Sequence, residues 1–162
     1  MKIKIFTTGG TFDKIYFDAK SEFHFADTIV GDLLEEANIC FDYDIVTLFE
    51  KDSLDIDDVD RKMIHDAVDN AGEDKVLISH GTDTMVETAQ ALLDIGGKTI
   101  VLFGAMRPAR MRQSDATYNL GVACAAVQLL PAGVHLAMNG QIFDPRKAVK
   151  NRALNRFERT DS

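Results

Sequence analysis

The stretch Val76-Leu77-Ile78-Ser79-His80-Gly81-Thr82-Asp83-Thr84 decides how the rest of the chain is read. Val76 to Ser79 is an apolar, strand-forming run and Gly81 is a hinge. Thr82-Asp83-Thr84 then opens a helical period carried by Met85, Val86, Ala89, Leu92 and Leu93. A strand that turns directly into a helix is the repeating unit of an open α/β sheet. Its turn leaves unpaired backbone N–H groups at the carboxyl edge of the sheet, where such folds bind ligands. Two hydroxyls flanking a carboxylate suit a binding site there. They equally suit helix capping, with Thr82 as N-cap and Asp83 favourable to the helix dipole.

On the amino-terminal side, Lys2 to Thr7 alternates and is β-branched, so it reads as a first strand. Thr8-Gly9-Gly10-Thr11 ends it, and paired glycines allow a tight turn or a close backbone approach to a ligand. Neither a Gly-Lys-Ser/Thr phosphate loop nor GxGxxG is present. The aromatic-rich residues 12–25 read as a hairpin, or as a lid. A helix over 27–38, a strand over 43–49 and a helix carrying Ile56, Val59, Met63, Ile64 and Ala67, ended by Gly72, precede the central stretch. After it, Gly96-Gly97 stop the helix, and Thr99 to Phe103 is continuously apolar, as a strand covered on both faces must be. A basic loop, Gly104 to Arg112, leads to a helix capped by Ser114-Asp115, and Val134 to Met138 forms the last strand. Five strands alternating with about four helices predict a doubly wound, mainly parallel, three-layer α/β domain of flavodoxin-like order. The turns at Thr11, Ser53, Thr82 and Arg107 all follow strands, so all should gather at one edge.

The 162 residues, 46% of them hydrophobic, suffice for one globular core. A net charge of −8 argues against nucleic-acid and membrane-surface binding. Residues 144–162 carry a local +3 against −11 elsewhere, which reads as a solvated basic tail for most of its charges. Cys40 and Cys124 form no CxxC, which suggests buried thiols in a reducing compartment. No apolar run suits a leader or a membrane span, so the cytoplasm is expected. His24, His65, His80 and His135 make no HxxxH pair, so no metal is expected, and no cofactor. A threonine hydroxyl beside a base and oriented N–H groups suits acyl transfer from an amide or ester to water. Residue types and spacing reach that far.

Thr7-Thr8-Gly9-Gly10-Thr11 resembles the first signature of the L-asparaginase family, and His80-Gly81-Thr82-Asp83-Thr84-Met85 resembles the second. Phe103-Gly104-Ala105-Met106-Arg107-Pro108, followed by Asp115 and Asn119-Leu120, is similar to a third family segment. The resemblance covers nearly the whole chain but only the amino-terminal domain of the long enzymes. It implies a single-domain short branch over residues 1–162. It also implies L-asparagine as substrate, L-aspartate as product, and a homo-oligomer.

Residue by residue, it makes Thr11 the nucleophile and Tyr16 the residue that activates it. Thr82, Asp83 and Lys150 become a second catalytic set, with Lys150 matched through Asp144-Pro145-Arg146-Lys147-Ala148-Val149-Lys150. Substrate contacts fall to Gly10, Ser53 for the α-carboxylate, Thr82, and Asp83 for the α-ammonium. Leu54 departs from the polar residue of long enzymes and leaves the asparagine-to-glutamine preference open. Two rivals stand beside this reading: a non-catalytic amino-acid-binding module, and an amidase subunit of a larger complex such as a transamidation machine. A nucleotide-binding flavodoxin-like protein is weaker, for want of a phosphate loop.

Overall fold

The computed structural model describes the backbone of residues 1–17, 22–25 and 27–160, and the side chains of 1–15 and 27–160. In chain order the elements are β1 (Lys2–Gly9), β2 (Lys14–Phe17), β3 (Glu22–Phe25), α1 (Val30–Glu36) and β4 (Asp42–Lys51). Then come α2 (Asp58–Asp69), β5 (Lys75–Ser79), α3 (Met85–Gln90), β6 (Thr99–Phe103) and α4 (Ala116–Leu129). The chain finishes with β7 (Gly133–Met138), β8 (Gln141–Phe143), β9 (Ala148–Asn151) and β10 (Arg156–Arg159).

The main sheet runs β4-β1-β5-β6-β7-β8. Its first five strands pair in parallel, which is the flavodoxin-like order the alternating pattern predicts. The strand order reverses between β1 and β5, so the ends of those two strands open the crevice where such sheets bind ligands. Alternation along the strands splits the core in two. Val76, Ile78, Ile100 and Leu102 meet Ile64 and Val68 of α2 and Met85 and Ala89 of α3 on one face. Ile3, Ile5, Leu77, Val101 and Phe103 meet Val30 and Leu34 of α1 and Leu120 and Ala123 of α4 on the other. Strands buried on both faces need the unbroken apolar runs seen at β5 and β6.

Four expectations are corrected. The sheet has a sixth strand, β8, antiparallel to β7 across the tight Asn139-Gly140 turn, where both residues take positive φ. The basic end is not a solvated tail: β9 and β10 form a hairpin whose Phe157 is fully buried against Phe143. α3 stops at Gln90 rather than at Gly96-Gly97, and Leu92 packs from the turn that follows while Leu93 is exposed. Cys124 is buried, and burial pushes its thiol up to about 11, but Cys40 is exposed. The hairpin expected over residues 12–25 is present as β2 paired with β3. Among the described residues, no helix is long and apolar enough to cross a membrane.

Candidate active site

The crevice is built by backbones too close for side chains. Gly10 has φ 77°, and a Cβ there would sit 2.6 Å from the Gly81 nitrogen. A Cβ on Gly81 would sit 2.6 Å from the Ser53 Cβ. One on Gly104 would run into the His80 carbonyl. Glycine is the residue that permits such crossings. The four turns expected at one edge are therefore in direct contact, and Thr11, Ser53 and Thr82 are each at or next to a crossing.

Thr82 is not the N-cap of α3. α3 begins beyond Thr84, which makes no side-chain cap bond; its hydroxyl donates instead to the Ser53 carbonyl at 2.7 Å. Thr82 is nearly buried, and its Oγ1 accepts from Lys150 Nζ at 2.7 Å. The same ammonium donates to Asp83 Oδ1 at 2.9 Å. Lys150 sits in β9, opposite the buried Phe157 in the hairpin register, and Gln90 of α3 donates to the Pro145 carbonyl at the root of that hairpin. One buried aromatic and one amide thus hold a lysine in place 67 residues beyond Asp83. A Lys–Asp pair with a threonine on the same nitrogen is a charge-assisted network able to take or return a hydroxyl proton.

His80 shapes the second loop without entering it. It is fully buried, its ring bonding to the Gly81 carbonyl through Nδ1 at 2.7 Å and to Thr88 Oγ1 through Nε2 at 2.8 Å. A carbonyl only accepts, so Nδ1 carries the proton and the Thr88 hydroxyl donates to Nε2. Burial drives the imidazole down to about 4, so the ring is neutral and fixed in one tautomer at neutral pH.

The Thr11 turn is tied to the Ser53 turn. Gly10 N donates to the Lys51 carbonyl at 3.0 Å, and Lys14 Nζ bonds Asp52 Oδ2 at 2.8 Å. Asp52 Oδ1 also caps the short 3-10 turn at Ser53 by accepting from Leu54 N. The Lys14 hydrogen bond holds the Asp52 carboxyl below its usual range, and the nearby Lys150 charge adds to this. Among the described residues, neither Thr11 Oγ1 nor Ser53 Oγ makes a hydrogen bond, which leaves both available to a ligand. The Tyr16 backbone pairs with Phe23 in the β2–β3 hairpin, while its side chain lies outside the described residues. The geometry brings Thr82, Asp83 and Lys150 into contact and sets Gly10 and Ser53 on Gly81.

The match to known proteins is consistent with this crevice. Residues 2–159 match the family model for the asparaginase N-terminal domain. The chain belongs to the asparaginase family. It is 41% identical over 83 residues to a protein of Haemophilus influenzae named "Probable L-asparaginase periplasmic", a match covering 48% of this chain and 24% of that one. It is 39% identical over 89 residues to a component of the glutamyl-tRNA(Gln) amidotransferase of Thermococcus kodakarensis, covering 52% of this chain and 20% of that one. The structure is similar to L-asparaginase I of Vibrio cholerae, with a TM-score of 0.85, 26% identity, 98% of this chain covered and 51% of the other. The chain thus spans about half the length of that structure, and its matched segments span less than a third of the curated relatives.

Three contributors escaped the sequence reading. Asp115 is the N-cap residue of α4, as expected, and Ser114 Oγ accepts from Ala116 N. The Asp115 carboxylate, however, makes no cap bond and accepts from Met106 N and Arg107 N and from Asn119 Nδ2, which fastens the third segment to α4. The Lys14–Asp52 bridge joins two turns 38 residues apart, and nothing local in either turn signals it. Arg152 lies 3.4 Å from Asp83 Oδ1 and looked like one more tail charge. Among the described residues, no group of three His, Cys, Asp or Glu side chains is placed to hold a metal ion.

Proposed function

We propose that this protein is an amidohydrolase that converts L-asparagine and water to L-aspartate and ammonia. The observation that carries the reading is the single Lys150 ammonium bonded to both Thr82 Oγ1 and Asp83 Oδ1 in a family-matched crevice. Thr11 is the nucleophile: its Oγ forms a bond to the side-chain amide carbon and gives up its proton, with Tyr16 assigned as acceptor. Backbone N–H groups of the Thr11 and Thr82 turns stabilise the oxyanion. The C–N bond then breaks, ammonia leaves with that proton, and an aspartyl ester remains on Thr11. Water adds to the ester through the Thr82–Lys150–Asp83 set, releasing L-aspartate and restoring the hydroxyl. Ser53 takes the α-carboxylate and Asp83 the α-ammonium. A cytoplasmic location and a homo-oligomer belong to the same proposal.

The test is ammonia release from L-asparagine, with L-glutamine as comparator, by the intact protein and by Thr11→Val and Thr82→Val variants. Release abolished in both variants supports the paired-threonine site. Tight L-aspartate binding with no release from the intact protein would make it a binding module instead. The similarity to an amidotransferase component favours a second reading, an amidase component of a larger assembly. Release that appears only after a partner co-purifies would select it.

A further inference from the structure

Asp83 is held by two cations of very different character. Lys150 is 14% exposed and 2.9 Å from Oδ1, whereas Arg152 is 65% exposed and 3.4 Å from the same oxygen. Asp83 itself is 29% exposed. The first contact is a short bond inside the crevice. The second is a long contact at the solvent edge, the kind of surface pair that contributes little and exchanges easily. Arg152 reaches Asp83 from the β9–β10 turn, two residues beyond Lys150, and its guanidinium makes no other ion pair among the described residues.

A ligand ammonium directed at Asp83 meets Arg152 first. Both are cations competing for one carboxylate, so the guanidinium must leave as the ammonium arrives. In an α-amino acid the ammonium and the carboxylate share one carbon. A ligand that seats its ammonium on Asp83 therefore brings its carboxylate beside the displaced guanidinium, whose planar fork matches a carboxylate in two parallel bonds. A cavity of about 350 Å³ bordered by Asp83, Glu87, Lys150 and Arg152 gives the side chain room to move.

We propose that Arg152 is a specificity residue that covers Asp83 and, when a zwitterionic ligand seats its ammonium there, transfers to the ligand's α-carboxylate, joining the Ser53 hydroxyl on it. This rests on the reading of Asp83 as the ammonium contact. It goes further in predicting a selection rule: the site favours ligands carrying both charges on one carbon, and penalises those whose ammonium-bearing carbon has no carboxylate. The penalty arises because such a ligand breaks the Arg152–Asp83 contact and offers nothing in return.

The test is calorimetric binding of L-aspartate, β-alanine and succinate to the intact protein and to Arg152→Ala and Arg152→Lys. β-Alanine lacks the α-carboxylate and succinate lacks the ammonium. Arg152→Ala is expected to weaken L-aspartate about five-fold and tighten β-alanine about two-fold, the scale of an exposed ion pair. Succinate is expected to weaken with L-aspartate, Arg152→Lys to restore part of the loss, and added salt to shrink every difference. A structural role for Arg152 would move all three ligands the same way, and that result, or no change for L-aspartate, overturns the proposal while leaving the site reading intact. Failure of L-aspartate to bind the intact protein overturns both.

Discussion

Lys150→Met separates a chemical role for this lysine from a structural one. Methionine keeps an unbranched side chain as far as Cε and removes the ammonium that bonds Thr82 Oγ1 at 2.7 Å and Asp83 Oδ1 at 2.9 Å. The loss in stability is limited, because Asp83 is 29% exposed, retains Arg152 and can be hydrated. A charge-assisted bond lost at a half-open site costs about 1–2 kcal/mol. For a domain of this length that lowers Tm by about 3–6 °C. The loss in rate is larger if the ammonium moves protons, since a positioned acid or base contributes about 10²- to 10⁴-fold, or roughly 3–5 kcal/mol of barrier. Steady-state ammonia release and differential scanning calorimetry on the same preparation therefore give a small shift in Tm beside a kcat reduced about a thousand-fold. L-Aspartate affinity should stay within about ten-fold. A variant with kcat within about ten-fold of the parent would refute the proton-handling role and leave Lys150 as a staple for its hairpin.

Further outcomes test the scaffold. Gly81→Ala forces a methyl group to within 2.6 Å of the Ser53 Cβ, so thermal melts should show a loss of about 1–3 kcal/mol, and adding Ser53→Gly should recover part of it. Phe157→Ala removes the buried anchor of the hairpin at a local cost of about 3–5 kcal/mol. Hydrogen exchange should then rise across residues 148–159 while β5 and β6 stay protected, and ammonia release should fall as in the Lys150 variant; unchanged exchange would contradict this. His80 gives a pH dependence of defined sign. Its folded value is depressed to about 4 from 6.5, so below pH 6.5 the unfolded chain takes up a proton that the folded one refuses. Its contribution is complete above pH 6.5 and is lost as pH falls to about 4, by about 3 kcal/mol in all. His80→Gln should flatten that part of the stability profile, and NMR of the ring in the parent should show no titration down to pH 5.

The strands that make the sheet were legible because burial on both faces demands unbroken apolar sequence, as in Val76–Ser79 and Thr99–Phe103. The helix faces were legible in part: Ile64, Leu120 and Ala123 are buried as their period predicts, but Val59 and Met63 of α2 are exposed and Val68 fills the inner face instead. Topology followed from alternation and handedness, and with it the position of Gly10 and Thr82 at the reversal of strand order. The basic end hid its structure because one phenylalanine among six cations carries almost no period. Its fold depends on Phe143 and Asn139, and Asn139 Oδ1 accepts from Phe157 N. The partners of Thr82 and Asp115 are not legible, because a sequence shows that a side chain can accept, not which donor reaches it first. Asp115 finds the backbone of Met106 and Arg107, and Thr82 finds Lys150. The ion cluster on Asp83 was half legible: resemblance supplied Lys150, but only the turn of the hairpin shows Arg152 beside it.

In the proposed reaction Thr11 attacks the amide while Thr82, Asp83 and Lys150 handle protons in one centre. Rapid acid quench during turnover of L-asparagine, followed by peptide mass spectrometry, puts that division of labour to the test. An aspartyl ester on Thr11 should form and decay within turnover and persist longer in Lys150→Met. An ester on Thr82 alone, or hydrolysis with no adduct on either threonine, would contradict it.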